Sequence, residues 1–242
     1  MSMPEVGDWP PRWHKPTNFN RYAAMPEAIK IKPRILAVFA ASEDKPSRLA
    51  LFDVDGTLLP GDTLWDFFSQ THGRWSRFKP VWDCRIPILK WKLGAMQNGE
   101  AKELLLARFY KGQSEQALRE QGHAMLNRIW PRLYSQALKA IEEHKKLGSS
   151  MALVTASPEW WMEEFGERLG ISTVICTRMH IEDGVFSGKF KGANCYGLEK
   201  ANRIKELFDL NSFTEIHAYG DSKGDREMLA LATHPHFRTF KA

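Results

Sequence analysis

Apolar and polar residues along this chain fall into two alternating patterns. Brief apolar runs at 49–52, 151–154, 173–176 and 216–219 are too short for helices and suit strands buried on both faces. Elsewhere apolar residues recur every three or four positions, the period of a helix with one buried face. Leu64, Phe67 and Phe68 form one such group, Leu104, Leu105 and Phe109 a second, and Leu118, Met125, Leu126 and Ile129 a third. No strand-like run separates them, so 63–134 reads as a helical block inserted directly after the first strand of an α/β sheet. Beyond it helix and strand alternate again. A helix over 136–147 stops at Gly148, a hairpin over 179–190 turns on Glu182-Asp183-Gly184, and helices carry Ile204, Leu207 and Phe208, then Met228, Leu229 and Leu231. The expected organisation is an extension (1–47), a core (48–62 and 135–242) and a helical cap (63–134).

The ends of the strands hold the candidate chemistry. The first run breaks into Asp53-Val54-Asp55-Gly56-Thr57. Alternation along a strand points Asp53 and Asp55 the same way and turns Val54 back into the core. Two like charges so close are tolerable when a cation shares them or one holds a proton, and both conditions suit a nucleophile beside a general acid. A strand ending in a solvated acidic turn is the competing reading, since Asp-Gly is a common turn dipeptide. After the second run come Thr155-Ala156-Ser157-Pro158, between a strand end and a helix whose first turn suits Pro158. That place favours an anion, although either hydroxyl also serves as a plain helix cap. Lys200 begins a later helix, where its charge opposes the dipole unless an anion is near. The last run ends in Gly220-Asp221, with Asp225 four residues on. Asp221 is placed to bind a metal together with Asp53, and Asp225 suits a helix cap.

Composition narrows the setting. Three cysteines without metal-type spacing argue against a disulfide framework or a zinc site and for a reducing, cytoplasmic location. The first thirty residues lack the apolar stretch of a secretory signal, and the longest apolar run, 35–41, falls far short of the roughly 18 residues of a membrane span. Net charge is +5. Much of it lies in 74–92, where six Lys and Arg residues, Arg85 among them, mix with Trp75, Trp82 and Trp91. Such a stretch suits weak peripheral contact with an anionic lipid surface or a phosphorylated substrate, and a solvated helix face packed through its tryptophans equally. Nothing marks a nucleic-acid-binding fold.

The strand-terminal features, in order Asp53-Val54-Asp55-Gly56-Thr57, Thr155, Lys200 and Gly220-Asp221 with Asp225, resemble the haloacid dehalogenase superfamily over roughly 48–240. The helical insertion resembles that of phosphoserine phosphatase and its relatives, and the segments 194–200 and 219–222 resemble phosphatidylglycerophosphatase C-like proteins. The resemblance implies a doubly wound parallel sheet and a magnesium-dependent phosphomonoester hydrolase acting on a small phosphorylated metabolite or a lipid phosphate. It implies Asp53 as nucleophile, Asp55 as acid and base, Thr155, Ala156 and Lys200 at the phosphoryl group, and Mg2+ at Asp53, the backbone carbonyl of Asp55, and Asp221, with Asp225 in support. Where the phosphoserine enzymes carry a glutamate nine residues past the nucleophile, this chain carries Asp62, which with Arg85 is the expected substrate contact on the cap side. A phosphotransferase or phosphomutase of the same fold, or a phosphate-binding module without catalysis, are the rival readings.

Overall fold

The computed structural model describes residues 47–72, 89, 93 and 96–240. Residues 1–46 of the extension, Arg85 and nearly all of the basic Trp-rich stretch lie outside the described residues.

Five parallel strands form the central sheet in the order β3-β2-β1-β6-β7, with β1 Arg48–Phe52, β2 Ser150–Pro158, β3 Thr173–Thr177, β6 Glu215–Gly220 and β7 His234–Phe237. β1 lies in the middle, and alternate residues feed two separate cores. Ala50 and Phe52 join a large apolar cluster on one face, Leu49 and Leu51 a smaller one on the other. Two packed faces are the mark of a doubly wound α/β sheet.

Among the described residues the α-helices are α1 Thr63–His72, α2 Asn98–Tyr110, α3 Glu115–Ile129, α4 Ser135–Lys146, α5 Glu159–Leu169, α6 Leu198–Leu207 and the short α7 Arg226–Leu229. α1 starts where Asp62 Oδ1 accepts the Leu64 N–H at 2.8 Å, and α3 where Ser114 Oγ accepts the Ala117 N–H at 3.2 Å. Each side chain satisfies a donor that the helix leaves open.

α1, α2 and α3 bury their apolar faces in the same cluster as the sheet instead of forming a core of their own. Phe67, Phe68, Leu106, Tyr110, Leu118 and Met125 pack with Trp160, Trp161 and Phe165 of α5, all essentially inaccessible. At about 1.5–3 kcal/mol for each large side chain, that shared burial ties the inserted helices firmly to the sheet.

β4 Met179–Glu182 and β5 Val185–Phe190 form the expected antiparallel hairpin. It docks on the inserted helices, exchanging backbone bonds between Phe186 and both Gly112 and Gln113, while Glu103 of α2 accepts the Phe190 N–H at 2.7 Å. One local reading changes. β2 runs on through Pro158, which precedes α5 as its N-cap instead of opening its first turn. β7 is an edge strand in a stretch that carries Pro235, a residue an edge tolerates because one side needs no donor.

Candidate active site

β1, β2 and β6 end at a cavity of about 520 Å³ whose wall includes Asp53, Asp55, Ala156, Ser157, Lys200, Asp221 and Asp225. Asp53 continues the ladder by donating its N–H to Tyr219 O at 2.9 Å, and Val54 is fully buried behind it. The chain then turns sharply, with the Thr57 and Leu58 N–H groups both returning to Val54 O. Gly56 makes the turn possible. Its φ is +78°, and a Cβ there would stand 2.5 Å from Asp221 Oδ2. The first motif thus leaves room for the carboxylate of the last.

Asp53 is 5% exposed and bonded on both oxygens, to Lys200 Nζ at 2.6 Å and Thr57 Oγ1 at 2.8 Å. Lys200, 2% exposed, divides its three donors among Asp53, Asp225 Oδ1 at 2.6 Å and Val154 O at 2.8 Å. Burial depresses the Lys200 ammonium, but the two flanking carboxylates outweigh it and hold its pKa above the ordinary lysine value. Burial pushes the Asp53 carboxyl up to about 7, an effect that Lys200 offsets and that Asp225 and Asp55 reinforce. Asp225, 1% exposed, accepts on Oδ2 from the N–H groups of Asp221 and Ser222 and from Ser222 Oγ. With both oxygens engaged, its work is to shape the loop that presents Asp221 and to anchor Lys200.

Carboxylate oxygens of Asp53, Asp221 and Asp225 lie within 4.8 Å of one another. An all-oxygen set of this density fits a hard divalent cation such as Mg2+.

Asp55 points into the same cavity, with Oδ1 on the Thr63 N–H at 2.7 Å and Oδ2 on the Ser157 hydroxyl at 2.6 Å. Thr155 stands apart. It is fully buried, accepts the Ser157 N–H at 3.1 Å and does not line the cavity, whereas Ala156 and Ser157 do. The rest of the wall includes Asp62, Leu64, Trp65, Asn98, Ala101, Lys102 and Leu105, with Tyr196 beside the loop after β6. Asp62, as the sequence places it, sits at this rim. Lys102 was not foreseen, since a lysine on an amphipathic helix looks like a solvent-side residue. Its ammonium donates to Ala156 O at 2.7 Å, and burial lowers its pKa against the pull of Asp62 and Asp55.

Comparison with known proteins agrees with this architecture. The haloacid dehalogenase-like hydrolase family matches residues 50–230. Protein CicA of Caulobacter vibrioides is 31% identical over 80% of this chain and 86% of its own. A solved Bordetella pertussis protein described as of unknown function shares 25% identity with a TM-score of 0.69, over 78% of this chain and 88% of that one. A solved phosphoserine phosphatase, described as a phospho-aspartyl intermediate analogue, is 18% identical with a TM-score of 0.58 over 78% and 84% of the two chains, a likeness of fold. The sheet, the strand-end carboxylates and the family match together show that this chain belongs to the haloacid dehalogenase-like hydrolases.

Proposed function

We propose that the chain is a magnesium-dependent phosphomonoester hydrolase working through an aspartyl phosphate on Asp53. The observation that carries this reading is the buried Lys200, which reaches Asp53 and Asp225 at 2.6 Å each, within a group of carboxylates open to a cavity. A domain that only bound phosphate would gain nothing from packing three carboxylates around the place where the anion sits.

In the first step an Asp53 oxygen attacks phosphorus, the bond from phosphorus to the alcohol oxygen breaks, and Asp55 gives that oxygen its proton. In the second, water attacks the same phosphorus, Asp55 takes up the water's proton, and the bond to Asp53 breaks to release inorganic phosphate. Held by the carboxylates of Asp53 and Asp221 and the backbone carbonyl of Asp55, Mg2+ would supply positive charge to the phosphoryl oxygens. Lys200 already stands beside one oxygen of Asp53, and its ammonium balances charge there in both steps. On the leaving-group side Leu64, Trp65 and Leu105 offer apolar surface, with Lys102 and Asp62 as the charged contacts. That wall suits a small phosphorylated metabolite or a lipid phosphate.

Phosphate release from an aryl phosphate and from a panel of phosphorylated metabolites and lipid phosphates tests the reading, each assayed with and without chelator. Asp53→Asn should lower turnover on the order of 10⁴-fold or more, as removal of a nucleophile does. Equal rates for variant and wild type would overturn the proposal.

A further inference from the structure

Asp55 ends a chain of hydrogen bonds that starts deep in the shared core. Behind Ser157, whose hydroxyl binds Asp55 Oδ2, Thr63 Oγ1 lies 3.0 Å from Ser157 Oγ, and the indole N–H of Trp161 donates to Thr63 Oγ1 at 3.1 Å. Thr63 and Trp161 are 0% exposed and Ser157 1%, so water does not compete for these groups. The donor inventory fixes the direction. An indole only donates, and a hydroxyl has one proton to give. With the proton of Ser157 directed at Asp55, that of Thr63 must be directed at Ser157, and every donor in the row points towards Asp55. Such rows polarise one another and strengthen the last bond. Trp161 is held in turn by a ring stack on Phe67, 4.6 Å between centroids.

We infer that Trp161, Thr63 and Ser157 are positioning residues that fix the plane of the Asp55 carboxyl against the leaving-group oxygen. The inference rests on the hydrolase reading above. A carboxyl held at one oxygen still turns about its last side-chain bond. Asp55 is held at both, by the N–H at the start of α1 and by a hydroxyl at the end of β2, so the inserted helices and the core sheet set its orientation jointly. A purely structural row of buried hydroxyls would differ in its consequence. Breaking it would lower stability and slow every substrate alike, whereas misaiming an acid slows a reaction in proportion to how much its leaving group needs the proton.

The experiment is rapid-mixing measurement of leaving-group release in the first turnover, for nitrophenyl phosphate and for simple alkyl phosphates, on the full chain. Ser157→Ala and Thr63→Val should slow alkyl ester cleavage on the order of 10- to 10²-fold while nitrophenolate release changes less than about 3-fold, with KM unaltered. Thr63→Ser, which keeps the hydroxyl, should restore the alkyl rate. If Ser157→Ala does not fold, Thr63→Val and Trp161→Phe report on the same row from its other members. Equal slowing of both ester classes, or no slowing of either, overturns the inference while leaving the hydrolase reading in place. A wild type that releases no alcohol from any ester overturns both.

Discussion

The two walls of the cavity are built on opposite terms. On the strand-end side Asp53, Lys200 and Asp225 are almost wholly buried, and every polar atom of the lysine and of both carboxylates has a protein partner. On the side of the inserted helices Lys102 has, among the described residues, one hydrogen bond for three donors, Trp65 and Asn98 are half-buried, and Asp62 is exposed. Buried charge is costly unless fully paired, so the first wall is over-determined by the fold and has no freedom to differ from substrate to substrate. The second is sparsely bonded and free to choose. On the proposed hydrolase reading, chemistry belongs to the sheet and selection to the helices.

Removing one partner from the over-determined wall should have the largest effect. Lys200→Met keeps the length of the side chain and strips Asp53 and Asp225 of their shared cation. Breaking a buried pair in this way costs about 3–5 kcal/mol. Chemical denaturation should show that loss alongside a collapse of turnover. A variant as stable as wild type would mean that the strand-end wall is not the rigid half of the comparison.

A buried histidine behind the strand ends should add an acid-sensitive contribution of its own. His144, 5% exposed, bonds Tyr219 OH at 3.1 Å and Ser149 Oγ at 3.1 Å, and Tyr219 O accepts the N–H of Asp53. Burial first, then the rings of His217 and His236, lower its pKa from 6.5 to about 4. Above the unfolded value both states are neutral and stability is complete. As pH falls from there towards about 4 the unfolded chain takes up a proton that the folded chain refuses, so stability declines, by something on the order of 3 kcal/mol for this group. The burial-lowered His217 and His236 shift the same way and add to the slope. Denaturant midpoints measured from pH 7 to pH 4.5 should therefore fall less steeply for His144→Gln than for wild type. Parallel curves would remove His144 from the account.

How far the two walls were legible in the sequence follows from the same contrast. Asp53, Asp55, Gly56 and Asp221 stand at abrupt breaks from apolar runs to carboxylates and glycine, a local signal that any reader of periodicity meets. The partners of Asp55 are not local. Ser157 is 102 residues away and its contact with Thr63 spans 94, so no spacing announces them. Of the hydroxyl-bearing segment after the second run, Ala156 and Ser157 line the cavity while Thr155 is buried behind it, because β2 continues three residues past Thr155. The docking of the β4–β5 hairpin on α2 was hidden for a related reason. Its strands read correctly, but the face they cover is decided by tertiary packing.

The smallest effect should come from the sparsely bonded wall, and it discriminates best. Lys102 sits on α2, and its single bond to Ala156 O links that helix to the strand-end loop. Lys102→Ala removes one half-buried cation without leaving a buried charge unpaired, so stability should change by less than about 1 kcal/mol. What it takes away is the positive charge facing the leaving group. An ester whose alcohol carries a carboxylate or a second phosphate should lose on the order of 10-fold in kcat/KM, most of it in KM, because a contact made equally in ground and transition states is uniform binding. An ester with a neutral alcohol should be nearly unaffected. Rates for a matched pair, a charged and an uncharged alkyl phosphate of similar size, read the difference directly. If both esters lose alike, Lys102 braces the loop beneath it and selection lies elsewhere on that wall. If only the charged ester loses, the helices choose the substrate by its second negative charge while the sheet performs the same two steps on whatever they admit.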